Sequence, residues 1–177
     1  DLNDIRGFGR KKPLLHFIFL MGAFGIGGVP LFNGYISKTL IHESIVEYLE
    51  LIKTGAASGI FGVSAMKGIE WAFLISGGLT VAYMTKLYVA LFLEKNHDRA
   101  VQDGFDRLKG RYMNKVSGTA LTLSAVLLPV MGMFPNLIMS PLADLGQGFM
   151  QAQGGGERVL WFNLTNLKGA AISNLSG

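Results

Sequence analysis

The feature that most limits how this chain can fold is the spacing of its charges, which leaves four long apolar blocks. These are residues 13–52, 68–94, 116–140 and a weaker one beginning near Leu160. A membrane-crossing helix needs about 20 predominantly apolar residues, so the middle two blocks are of crossing length and the first is about twice as long. Only 16% of the 177 residues are charged, against about 25% in ordinary soluble domains. The mean hydropathy is +0.38. The expectation is an all-α chain of several transmembrane helices, forming a single membrane domain over residues 1–177, with the bilayer itself as a partner.

The first block could be two short crossings in a hairpin or one crossing with a break. Basic residues discriminate between them. Arg6, Arg10, Lys11 and Lys12 precede the block, and Lys95, Arg99, Arg107, Lys109, Arg111 and Lys115 follow the second block. The 53–67 connection holds only Lys53 and Lys67, and 141–160 holds only Arg158. If 13–52 crosses once, both basic clusters share the cytoplasmic side, as the positive-inside tendency requires. A multi-pass protein of the cell (inner) membrane is therefore expected. The small-residue stretch 54–66 is read as a loop, and 144–159 as an exposed linker with room for a short surface helix.

With no cysteine in the chain, thiolate metal sites, iron–sulfur clusters, disulfides and thiol nucleophiles are excluded. His16, His42 and His97 show no metal-ligand spacing. No cofactor and no nucleic-acid partner are expected, and any redox chemistry must belong to partner subunits. The opening Asp1-Leu2-Asn3-Asp4 has no signal-peptide pattern and reads as a sequence entered midway.

The first block contains GIGGVPLFNGYISKTLIHES, Gly25 to Ser44. Pro30 lacks an N–H and clashes with a preceding helical turn. Gly25, Gly27, Gly28 and Gly34 weaken helix further. Together they predict a helix interrupted near 25–34, with Gly27, Gly28, Pro30 and Gly34 marking the break and Asn33 as N-cap of the restart. Unpaired backbone at membrane depth is tolerated only against protein or a water-filled cavity.

Lys38 follows about one turn into the restarted helix. Desolvation and the positive end of the half-helix both oppose its charge there. Such a lysine can exchange a proton near neutral pH. His42 lies at i+4, and Glu43, Glu47 and Glu50 continue the line toward one surface, as a proton exit path requires. The blander readings are a static ion pair for Lys38, a packing hydrogen bond for His42, and interfacial positions for Glu47 and Glu50. Lys86 lies eight residues before Glu94, about 12 Å deep at helical rise, and is a further candidate for proton translocation. Glu70 and His16 are read as interfacial. The glycines form no dinucleotide fingerprint, because no preceding strand or later acidic partner accompanies them.

The stretch GVPLFNGYISKTLIHESI resembles the G-x-P-x-x-x-G-[FY]-x-S-K segment of antiporter-like membrane subunits. These occur in respiratory complex I, membrane-bound hydrogenases, formate hydrogenlyase-type complexes and multisubunit sodium/proton antiporters. GGLTVAYMTKLYVALFLEKN resembles the helix that follows, and FNLTNLKGAAISNLSG is similar to late segments of the hydrogenase branch. The resemblance covers about residues 10–140 and that tail. It implies inverted repeats of five helices, each with one broken helix, that move protons through buried lysines and glutamates. Carried over, Pro30 marks the break, Gly34 and Ser37 complete the motif, and Lys38 is the terminal lysine of the second broken helix. Nothing matches the first repeat, and Lys86 belongs to no family-wide pattern.

The expected function is thus the C-terminal half-channel portion of a proton-translocating subunit. It would be coupled to a redox complex of the NADH dehydrogenase or hydrogenase type and have no catalytic centre of its own. The competing readings are a sodium/proton antiporter subunit and a non-conducting structural anchor.

Overall fold

Helix α1 opens at Pro13 and ends at Gly27. Proline suits the first turn, where its missing N–H has no helical partner to lose. In the computed structural model, which describes residues 1–55, 61–108 and 112–149, every regular element among these residues is helical. The sequence α1 (Pro13–Gly27), α2 (Asn33–Lys53) and α3 (Val63–Tyr88) is followed by a π-turn, Val89–Leu93. Then come α4 (Arg99–Arg107), α5 (Lys115–Met133) and α6 (Pro135–Phe149). The first five helices belong to one unit, Asp1–Met133; α6 belongs to a second, Phe134–Gly177.

Among the described residues two helices are long and apolar enough to cross a membrane: Val63–Leu93, with 31 residues, and Lys115–Met133, with 19. The first is about 46 Å long at 1.5 Å per residue. α1 is a shorter apolar helix of 15 residues. These helices turn large apolar side chains outward, with Trp71 66%, Leu79 63% and Leu123 70% exposed. Apolar faces of that kind need lipid or further protein against them.

Within the first unit α1 and α5 run parallel. Gly25 lies beside Leu128, and the Leu31 carbonyl just after α1 lies against Gly132. α3 runs antiparallel to both halves of the broken pair. Its N-terminal part meets α2 through Glu70 and His42. Its C-terminal end meets α1, where the His16 ring bonds the Tyr88 hydroxyl and stacks on Phe92 at 4.9 Å. His16 is therefore tied into an aromatic cluster rather than merely interfacial.

At that same end the arm formed by residues 1–12 is bound tightly to the region after α3. The π-turn leaves carbonyls without α-helical partners, and the arm supplies donors. Gly7 N–H donates to Ala90 O at 2.9 Å and Gly9 N–H to Leu91 O at 2.8 Å. Arg6 pairs with Glu94 at 2.9 Å and Lys11 with Asp106 at 2.6 Å. Lys12 is fully enclosed, its ammonium donating to the Phe8 and Phe105 carbonyls and lying 3.9 Å from the Phe8 ring centroid. Burial holds Lys12 below the ordinary lysine value, with Asp106 pulling the other way. The hydrogen bond from Lys11, outweighing desolvation, holds Asp106 below the usual carboxylate range. The basic clusters before α1 and after α3 thus share one end of the helices.

Two elements differ from the sequence reading. The block 116–140 is divided, since α5 stops at Met133 and α6 starts at Pro135. A residue preceding proline is biased away from helical backbone, which ends α5 here. The stretch read as a loop to residue 66 is already helical from Val63. The segment expected from about Leu160 lies outside the described residues.

Candidate functional site

Helical hydrogen bonding lapses between Gly27 and Asn33, and each residue there has an identifiable task. Gly28 takes φ +76°. Its N–H donates to Gly25 O at 3.2 Å, and Val29 N–H donates to Phe24 O at 3.0 Å. That pair of bonds is a Schellman closure, which needs a residue in left-handed conformation. The chain then reverses through Val29-Pro30-Leu31-Phe32, with Phe32 N–H donating to Val29 O at 3.1 Å. Proline at the second position and a positive φ at the third are the marks of a type II turn. The third position holds Leu31, at φ +76°, the one non-glycine residue with positive φ among those described.

α2 begins at Asn33 with Phe32 as its N-cap and no side-chain cap, so Asn33 is not the cap. Gly34, expected to be part of the break, lies inside α2. Its role is contact: a Cβ there would overlap the Gly25 carbonyl. Gly132 does the same work for α5, because a Cβ on it would overlap the Leu31 carbonyl and the Phe32 backbone. The turn is therefore clasped between backbones that touch with no side chain between them. Sequence reasoning missed Gly132, whose signal would have been a glycine one turn before Pro135.

Lys38 is half-buried, and its ammonium donates to Gly27 O at 3.3 Å. That carbonyl is one of the acceptors an α-helix leaves unused at its end. The side chain lies over Gly28, where an added Cβ would come within 2.8 Å of its Cδ. Gly27 in turn rests against Val81 of α3. Val81 is about 18 Å along the helix from Leu93 and about 27 Å from Val63. The broken segment and Lys38 thus lie toward the middle of the continuous helical span Val63–Leu93, somewhat nearer its Leu93 end. Two helix ends face this ammonium: the N-terminal end of its own helix, which disfavours charge, and the C-terminal end of α1, which favours it.

His42, one turn beyond, is half-buried with its Nε2 3.5 Å from Glu70 Oε1. That nitrogen is buried and without a hydrogen-bond partner among the described residues. Phe73, one turn along α3 from Glu70, lies nearly parallel to the ring at 6.3 Å and 25°. The structure thus adds Glu70 to the line of titratable groups, a residue the sequence reading set aside as interfacial. Glu43, Glu47 and Glu50 are exposed on α2, and Glu50 pairs with Lys53 at 2.5 Å. Lys86 is exposed in the last turn of α3. It sits five residues past Val81, about 140° round the helix, and is not brought to Lys38. No cluster of metal-ligating side chains occurs among the described residues.

No family model and no solved structure matches this chain. Known proteins do. NADH-quinone oxidoreductase subunit N 1 of Chloroherpeton thalassium is 24% identical over 140 residues, covering 78% of this chain and 24% of that protein. Formate hydrogenlyase subunit 3 of Escherichia coli is 28% identical over 94 residues, covering 52% of this chain and 14% of its own length. A putative antiporter subunit of Staphylococcus haemolyticus is 30% identical over 64 residues, covering 36% of this chain and 8% of that protein. The chain spans about a quarter or less of the length of each. Its homologues are thus antiporter-like subunits of membrane oxidoreductase, hydrogenlyase and antiporter complexes, the group that the motif from Gly28 to Lys38 resembles.

Proposed function

We propose that this chain forms a half-channel of a proton-translocating membrane subunit, with Lys38 as the group that holds and releases the proton. The observation that carries the reading is the Lys38 ammonium on the Gly27 carbonyl, at a helix break toward the middle of the helical span Val63–Leu93. In this reading the broken pair α1–α2 crosses the membrane once, and α3 and α5 cross as continuous helices. His42 and Glu43 are relay candidates, and Lys86 acts only if another helix covers it. The partners are the bilayer and the other membrane subunits of a redox-driven complex in the cell membrane. Those subunits would carry the electron-transfer chemistry.

Lys38 has the properties a carrier needs. Facing hydrocarbon, its charge would cost at least about 2.5–3.5 kcal/mol; facing the break, it has a carbonyl acceptor. Two opposed helix ends face the ammonium, and a change in a nearby charge is how a distant event would drive release. Alignment with antiporter subunits supports a second reading, sodium/proton exchange, which requires flux to depend on sodium.

The test is proton flux in vesicles carrying the complex that contains this chain. Lys38→Met should abolish most coupled flux while assembly persists, since methionine fills similar space without charge. Lys38→Arg should also impair it, because arginine does not release its proton. A structural anchor with a static lysine bond requires the opposite order, with arginine tolerated. Normal pumping by the arginine variant would overturn the proposal.

A further inference from the structure

We propose that Glu70 of α3 is the next proton acceptor after His42, so that the path leaves α2 by crossing to the neighbouring helix. This rests on Lys38 being a proton carrier. Of the two relay candidates on α2, His42 is then the relay, and Glu43, exposed like Glu47 and Glu50, is a surface group.

The geometry is specific. His42 Nε2 is buried, lacks a hydrogen-bond partner among the described residues, and has Glu70 Oε1 3.5 Å away. A buried ring nitrogen left unbonded is destabilising, so the ring gains from finding a partner. The separation is just longer than a hydrogen bond, and a small closure would make one. Such closure is favoured when the ring is protonated and the carboxylate ionised. The Phe73 ring alongside the imidazole limits water on that side.

The steps conserve charge and involve no electron transfer. Lys38 swings from the Gly27 carbonyl and gives a proton to the neutral His42 ring, leaving an amine and an imidazolium. Nε2–H then passes its proton to a Glu70 carboxylate oxygen, leaving a neutral imidazole and a carboxylic acid. Glu70 releases that proton toward the 53–63 end and returns to carboxylate. Lys38 and His42 are one helical turn apart, within reach directly or through one water.

Few other charges face the ring. On α2 they are Lys38 itself and the exposed Glu43; on α3 they are Glu70 and the exposed Lys67 one turn before it. α1 and α5 carry only His16 and Lys115, both at the opposite end. The pH response of the path should therefore belong to the His42–Glu70 pair.

Vesicles of the intact complex distinguish the outcomes, with Lys38→Met as reference. Glu70→Gln should lower proton flux by about tenfold or more, in the range that loss of a proton-transfer group produces, with assembly retained. Glu70→Asp should restore much of the flux with a displaced pH profile. Adding His42→Gln to Glu70→Gln should cause little further loss, since both act on one step. Glu70→Gln pumping as wild type while Lys38→Met does not would overturn the Glu70 assignment alone. A flux loss with an unaltered pH profile in Glu70→Asp would also overturn it, making the pair structural. Normal flux in Lys38→Met would overturn the underlying reading instead.

Discussion

Leu31 occupies the turn position that ordinarily takes glycine or asparagine, and it does so where Lys38 meets the end of α1. A non-glycine residue with positive φ costs about 1–3 kcal/mol and persists only where its surroundings hold it. Gly132 is that holder, packed on the Leu31 carbonyl. Because the side chain is 50% exposed, glycine loses little packing there. Leu31→Gly or Leu31→Asn should be neutral or stabilising, whereas the β-branched Leu31→Ile should destabilise by about 1–2 kcal/mol. Thermal unfolding in detergent checks the order; an isoleucine variant as stable as asparagine would show that the turn is not strained. Sequence reading recognised Pro30 as a breaker but not the turn it builds, because a leucine carries no signature of positive φ. It likewise counted only the positive helix end near Lys38. The opposing carbonyl of Gly27 is brought to Lys38 by the turn that joins α1 to α2, which no local pattern encodes.

At the scale of elements, the fold around the site depends on helices touching backbone to backbone. Gly34 on α2 meets the Gly25 carbonyl, and Gly132 on α5 meets the turn. Small residues at such crossings are how membrane helices gain van der Waals contact when lipid supplies no hydrophobic drive. Gly34→Ala must push α1 and α2 apart, since the obstacle is backbone and cannot rotate away. A cost of about 1–3 kcal/mol is expected, as for other overpacked sites. The variant should show a lower unfolding temperature and reduced flux together, and an unchanged protein would mean that the two helices do not cross at Gly34. The all-helical character was legible, because long apolar blocks and glycine–proline clusters mark it; α4, which no apolar block marks, was not. The cap at Asn33, the division at Phe134 and the π-turn at Val89–Leu93 were not. Each depends on which backbone groups tertiary neighbours can satisfy. Glu70 was missed for the same reason: its pairing with His42 follows from the antiparallel register of α2 and α3, not from its distance to a helix end.

For the molecule as a whole, the question is which ends of the helices share a face of the membrane. The arm 1–12 and the region after α3 are joined by Gly7–Ala90, Gly9–Leu91, Arg6–Glu94 and Lys11–Asp106 bonds. Most of the chain's arginines gather there, so under the proposed function the positive-inside tendency would put that end in the cytoplasm. Gly62, just before Val63 at the far end of α3, would then face the other side. The alternative hairpin, with α1 and α2 each crossing separately, would return the start of α3 to the side where α1 began. It would leave α1, 15 residues and about 22 Å long, to cross alone a hydrocarbon core of about 30 Å. In the proposed reading α1 and α2 form one continuous crossing, which would bring Lys38 to mid-depth, between aqueous phases that differ in potential. Topology therefore bears directly on whether a proton held at Lys38 can do work. The chain has no cysteine, so single introduced cysteines report without background. In sealed vesicles of known orientation, Asp4→Cys and Lys95→Cys should react with an impermeant maleimide from the cytoplasmic face only, and Gly62→Cys from the opposite face only. Labelling of Gly62→Cys from the same face as Asp4→Cys would replace the broken crossing with a hairpin. It would also put Lys38 near a surface, where its charge is cheap and has no gradient to span.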